Sequence, residues 1–88
     1  HDRVLRLRIP TGPRPRPGDR VLVALGVQSG PLPTRVRVNS KPCEPAGADS
    51  ALRLFAVPAS AMRDGYNLLE VETPEPSSFD WAEIRIVP

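Results

Sequence analysis

Proline placement constrains this chain more than any other feature. Twelve of its 88 residues are proline, and together with six glycines they divide it into short segments, most of which alternate apolar and polar side chains. Proline supplies no ladder donor, so within sheets it is confined to edges, first residues and bulges. Short alternating runs between such breaks read as strands.

Residues 3–9 place Leu5, Leu7 and Ile9 on one side and Arg6 and Arg8 on the other, the period of a strand with one wet face, and Pro10 is expected to end it. Residues 11–18 form a connector with Pro13, Pro15 and Pro17; its PRPRPG run superficially resembles an SH3 ligand, but it is short and leads straight into a strand, as a loop does. Residues 21–27 are apolar on both parities, which predicts a central strand covered on both sides. After a break at Gly30, Pro31 and Pro33, Val36 and Val38 alternate with Arg35 and Arg37 in a half-exposed third strand, and Asn39 and Ser40 turn the chain. Residues 41–50 hold Pro42, Pro45 and Gly47 and read as a surface loop or short edge piece.

Residues 51–57 form a fourth strand, with Leu52, Leu54 and Ala56 on one face, Phe55 and Val57 on the other, and both faces expected to be covered. Residues 58–64 are the one helix-friendly window; they make a single turn, with Pro58 at its start and Gly65 where a left-handed residue is wanted. Residues 67–73 and 80–87 are the last strands, separated by a loop with Pro74, Pro76 and two serines. About six strands and one short helical turn near residues 58–64 describe an all-β antiparallel β-sandwich over residues 1–88, with a closed barrel as the alternative.

Composition is consistent with one small folded module. Val, Ile, Leu and Phe make up 23 of the 88 residues, above the roughly 20% floor below which highly charged chains stay disordered. A chain of this length leaves little core for a large cofactor site, and none is expected. No apolar run approaches the roughly 20 residues that cross a bilayer, so no membrane partner is expected. The first residue is not Met and a strand pattern begins at once, so the chain reads as a C-terminal fragment of a larger protein. Its 11 arginines against one lysine, with much Ala, Leu, Val and Pro, match the usage of a GC-rich bacterial genome. One cysteine closes no intramolecular disulfide and fixes no compartment.

Residues 1–44 carry a charge of +6 and residues 45–88 a charge of −4, within a net +2. A polyanion-binding face is one reading of this split. The plainer one is that antiparallel strands from the two halves pair and set opposite charges side by side.

Catalytic groups are few. His1 is the one histidine and sits at a terminus, which leaves a nucleophile relay without a base. Cys43 has no nearby histidine and lies between two prolines, as an inert thiol does. Glu70 and Glu72 stand about 7 Å apart on one strand face, within glycosidase range. A working acid needs burial, however, and alternation turns both away from Leu69 and Val71 toward a basic half. No phosphate loop or metal-ligand spacing is present, and the chain by itself reads as non-enzymatic. Four aromatics, set apart from most of the arginines, make a poor nucleic-acid surface, and no nucleic-acid partner is expected. Trp81 shares its parity with Glu83 and Arg85, opposite Ala82, Ile84 and Ile86. It could stack on a sugar, but the expected position is a buried plug at the sandwich end beneath the loop at Phe79.

From Val36 onward, the segments VRVNSKPCEP, LRLFAVPASAMRDGYNLLEVE and WAEIRIVP resemble the galactose-binding-like β-sandwich modules that accompany glycoside hydrolases. Asn39 matches a strand-ending Asn-Gly, Val57-Pro58 a strand running into a proline-led turn, and Gly65-Tyr66-Asn67 a Gly-x-Asn that opens an apolar strand. Physically, Gly65 takes a left-handed conformation and Asn67 bonds back onto the turn. Ser40, where glycine is usual, predicts a different turn type.

The resemblance implies a jelly-roll-like fold and an accessory role beside a carbohydrate-active enzyme, with the parent's catalytic domain as partner and carbohydrate as a further one. Candidate ligand residues are Trp81, Tyr66, Glu83 and Arg85. An immunoglobulin-like adhesion or spacer domain without ligand is the alternative.

Overall fold

In the computed structural model, residues 2–29, 32–33, 35–74 and 78–88 are described. His1, Gly30, Pro31, Pro76 and Ser77, which entered the sequence reading, lie outside them. The strands are β1 (Asp2–Gly12), β2 (Arg20–Ser29), β3 (Arg35–Val38), β4 (Lys41–Pro42), β5 (Glu44–Asp49), β6 (Leu52–Ala56), β7 (Gly65–Pro74) and β8 (Ser78–Val87). The single 3-10 turn spans Ala59–Ala61, inside the expected helical window. Two four-stranded sheets form, ordered β1-β7-β3-β4 and β5-β6-β2-β8, and every pairing is antiparallel. The chain is an all-β antiparallel sandwich.

The core lies where alternation places it. Val21, Val23 and Leu25 of β2 meet Val36 and Val38 of β3 and Leu69 and Val71 of β7, flanked by half-buried Leu5, Leu7, Ile9, Phe55, Ile84 and Ile86. Full burial of such side chains contributes about 1.5–3 kcal/mol each. β2 is buried on both faces, as its doubly apolar pattern requires. β6 is not: its residues are exposed or half-buried, because its neighbour β5 offers only Glu, Pro, Ala, Gly and Asp.

Two boundaries differ from the sequence reading. β1 continues past Pro10 to Gly12 with a shift of register, which is possible because β1 is a sheet edge, where proline is tolerated. The segment read as loop or edge piece contains both β4 and β5. β5 is exposed throughout and therefore has no alternation to detect, and its register shifts between Pro45 and Gly47, where Gly47 has φ of 102°.

Asn39 and Ser40 have φ of 49° and 70°. Two positive values in a two-residue hairpin are the primed geometry that Asn-Gly favours, so serine in the second place does not change the turn type. Asn39 anchors it: its Nδ2 donates to the Ala61 carbonyl and to Asn67 Oδ1, both at 2.7 Å, and its Oδ1 accepts from the Leu68 amide at 2.9 Å. Asn67, 1% exposed, accepts also from the Arg63 amide and donates to Thr11 Oγ1 and the Arg63 carbonyl. This network ties the end of β1, the β3–β4 hairpin and the loop after the 3-10 turn to the start of β7. The connector is held too, through Arg14 N donating to Asp64 and Arg16 N donating to Asp19.

Replacing Asn67 with the similarly sized leucine strips partners from the Arg63 amide and the Asn39 side chain. The expected loss is about 3 kcal/mol, read from the urea midpoint. Gly65, with φ of 84°, should tolerate valine poorly; Gly65→Val is expected to cost about 1 kcal/mol or more. An unchanged midpoint and slope would remove the strained-turn assignment.

Candidate functional site

β8 pairs with β2 in regular register from Val87 to Trp81, which stands opposite Gly26; the next pair is Phe79 with Val27. Asp80 is therefore the extra residue of a bulge. Phe79 turns inward to the core, while Asp80 and Trp81 both lie over Gly26. A side chain at position 26 would meet the Asp80 carboxylate and, at 3.0 Å, Trp81 Cβ. Glycine is the residue that lets both groups settle on the sheet.

Glu83 and Arg85 follow on the same outward face, as their parity with Trp81 requires. Arg85 Nε donates to Glu83 at 3.0 Å, and its Nη1 donates to Asp49 on β5 at 2.8 Å. β5 and β8 are the two edges of this sheet. In a flat sheet they would lie three interstrand steps apart, about 14 Å. Asp49 is also displaced along the strands from the row of Arg85, which runs through Leu22 and Ala56 to Glu44. The two side chains bridge that separation only if the sheet curls toward this face. Leu22 and Ala24 point outward from the core yet are 8% and 0% exposed, closed over by the curl. Asp49 and then Glu83 hold the Arg85 guanidinium above its ordinary pKa. Around Trp81 and Arg85 the carboxylates Asp49, Asp80 and Glu83 outnumber the guanidinium, so this part of the face suits neutral, hydroxyl-rich ligands over anions.

Trp81 is not the buried plug expected of it. It is 55% exposed, on the outward face that its regular pairing with Gly26 dictates, and a fully buried large residue of the loops is Met62. Trp81, Glu83 and Arg85 thus share one face. Tyr66 does not join them: it lies on β7 in the other sheet, 56% exposed, with the Arg8 guanidinium 4.8 Å from its ring centre. Asp49 and Asp80 were missed, the first because it sits in a strand without alternation and the second because a bulge breaks parity. Gly26, alone inside an apolar run, carried the detectable signal of a close approach.

Glu70 and Glu72 face outward on β7, as alternation predicts. Arg6 Nε lies 3.1 Å from Glu70 and Arg37 Nη2 3.7 Å from Glu72, which makes this face a ladder of cross-strand ion pairs. Cys43 is half-buried beside the core, its Sγ 3.8 Å from the Lys41 carbonyl. Burial pushes its thiol up to about 11. Among the described residues, no group of three or more His, Cys, Asp and Glu is placed to hold a metal, and no helix is long and apolar enough to cross a membrane. No protein-family model matches the chain, and no curated protein does.

The raised thiol pKa has a direct readout. At pH 8 the native chain holds on the order of 100-fold less thiolate than the unfolded one, so iodoacetamide should label Cys43 far more slowly before urea is added than after. Because the folded value is the higher, stability is unaffected below the ordinary value of 9.0 and erodes as pH rises toward about 11. Equal labelling rates in the two states would show the thiol to be open.

Proposed function

We propose that this chain is a non-catalytic β-sandwich module that binds neutral glycan weakly on the curled face of the β5-β6-β2-β8 sheet, as the accessory module of a carbohydrate-active enzyme. The observation that carries the reading is Trp81: it is 55% exposed, its Cβ lies against Gly26, and it shares its face with Glu83 and Arg85. An exposed ring offers a flat apolar surface with a polar N–H at its edge. Sugars present the complementary pair, an apolar C–H face and a rim of hydroxyls. Asp80, Glu83 and Asp49 supply acceptors for those hydroxyls, and Arg85 supplies donors.

A single exposed platform yields weak binding. Dissociation constants near 1 mM, worth about 4 kcal/mol, are expected. The role beside a catalytic domain rests on the resemblance of residues 36–88 to glycoside-hydrolase accessory modules. The alternative role, docking against that domain, uses the same exposed face.

The test is a fluorescence titration. Trp81 is the sole tryptophan, so its emission should be red-shifted, quenched by acrylamide and moved by neutral oligosaccharides at millimolar concentration. Trp81→Ala should keep the urea midpoint within about 1 kcal/mol, since the side chain is largely exposed, and should abolish sugar-induced shifts in amide NMR spectra. Gly26→Ala, whose Cβ meets the Asp80 carboxylate and crowds Trp81 Cβ, should weaken binding. Emission that no neutral glycan moves would refute the proposal and favour docking or a ligand-free spacer.

A further inference from the structure

The outward face of the β1-β7-β3-β4 sheet carries a second feature, independent of the glycan reading. Its charges are paired row by row: Glu70 stands between Arg6 and Arg37, and Glu72 stands opposite Arg35. One row further, the pattern stops. Arg8 stands opposite Leu68, not an acid, and its guanidinium lies instead over the Tyr66 ring. Here a cleft of about 300 Å³ opens, lined by Arg8, Asn39, Arg63, Tyr66, Asn67 and Leu68. Among the described residues neither Arg8 nor Arg63 takes part in an ion pair.

The cleft is built on a fixed floor. Asn67 accepts from the Arg63 amide and donates to the Arg63 carbonyl, which sets the position from which the Arg63 side chain leaves the backbone. Asn39 is held by Asn67, Ala61 and Leu68. Among the described residues, no acid lines the cleft; Glu70 pairs with Arg6, and Asp64 accepts from the Arg14 amide of the connector. Two unpaired guanidinium groups on a rigid polar floor recognise an oxyanion, for which arginine forms charge-assisted and often bidentate hydrogen bonds. The volume, at the low end of small-molecule clefts, exceeds what a free inorganic ion fills, and the Tyr66 ring offers an apolar wall.

We infer that the Arg8–Tyr66–Arg63 cleft binds a small organic oxyanion, a carboxylate or phosphate ester carried on a body about the size of one sugar ring. Its ligand chemistry is the opposite of that proposed for Trp81, whose acidic face repels anions, and the two faces lie on different sheets.

Amide NMR titration at fixed ionic strength tests it, with glucuronate, glucose 6-phosphate, inorganic phosphate and glucose as probes. The two sugar anions should shift the amides of Arg63, Asn67 and Leu68 in a saturable way on the order of 1–10 mM, and glucose should not. Inorganic phosphate moving the same amides at lower affinity would place the recognition mainly in the oxyanion; phosphate leaving them unmoved would place it in the ester or acid together with its ring. Either supports the site. Arg8→Gln combined with Arg63→Gln should weaken binding at least about tenfold with peak dispersion intact, since both side chains are exposed. Trp81→Ala should leave these shifts unchanged, so failure of the glycan proposal would not touch this one. No saturable shift from either sugar anion, or equal shifts in the double variant, would overturn the inference.

Discussion

The sandwich depends on a pair of bonded amides, Asn67 buried and Asn39 half-buried. Asn67 is sealed from water, and its side chain meets the Arg63 backbone, the Thr11 hydroxyl and the Asn39 amide at once. A buried amide left half-satisfied would destabilise the fold strongly; satisfied throughout, it selects one arrangement of the segments that meet there. Those segments are the end of β1, the β3–β4 hairpin and the loop entering β7. In a chain with so many prolines, much backbone cannot enter a ladder, and side-chain amides take over the task of fixing where loops run.

The charge asymmetry along the chain resolves into geometry. β1 and β3, both from the basic first half, flank β7 from the acidic second half. Arg6–Glu70 and Arg37–Glu72 follow directly from that order. Exposed pairs of this kind contribute a few tenths of a kcal/mol each, so their larger effect is on register: a slip by one residue would bring the arginines toward the core. On the other sheet, Arg85 is the one cation among the acids of β5 and β8, and the strap it forms to Asp49 holds the curl.

Much of this was legible in the residues. Period-two alternation gave β2, β3 and β7 their faces, Gly65 and Asn67 announced the turn between them, and Ala82, Ile84 and Ile86 announced the inner face of β8. What escaped were features in which parity carries no information. β5 has no buried side chain, so nothing in its composition separates it from a loop. Alternation gives Trp81 its outward face but not its exposure: an indole is among the largest apolar groups a chain can bury, and how much of that face stays open depends on neighbours that pattern does not place. The partnership of Asp49 with Arg85 joins residues 36 positions apart and depends on sheet curvature, which one-dimensional pattern does not encode. The arginine cleft escaped for the same reason, since an unpaired arginine is recognised only when its cross-strand neighbour is known.

Each of the four sheet edges carries a device that spoils further pairing. β1 holds Pro10 and a register shift, β4 is two residues long and ends in Pro42, β5 holds Pro45 and the irregularity before Gly47, and β8 is bulged at Asp80. An uninterrupted edge is a template onto which a second chain can add a strand, the first step of swapping and aggregation. With every margin interrupted, copies of this module held close together, as in a tandem array or on a crowded surface, would stay separate bodies. The prolines that limit what the chain can fold into thereby also limit what it can stick to.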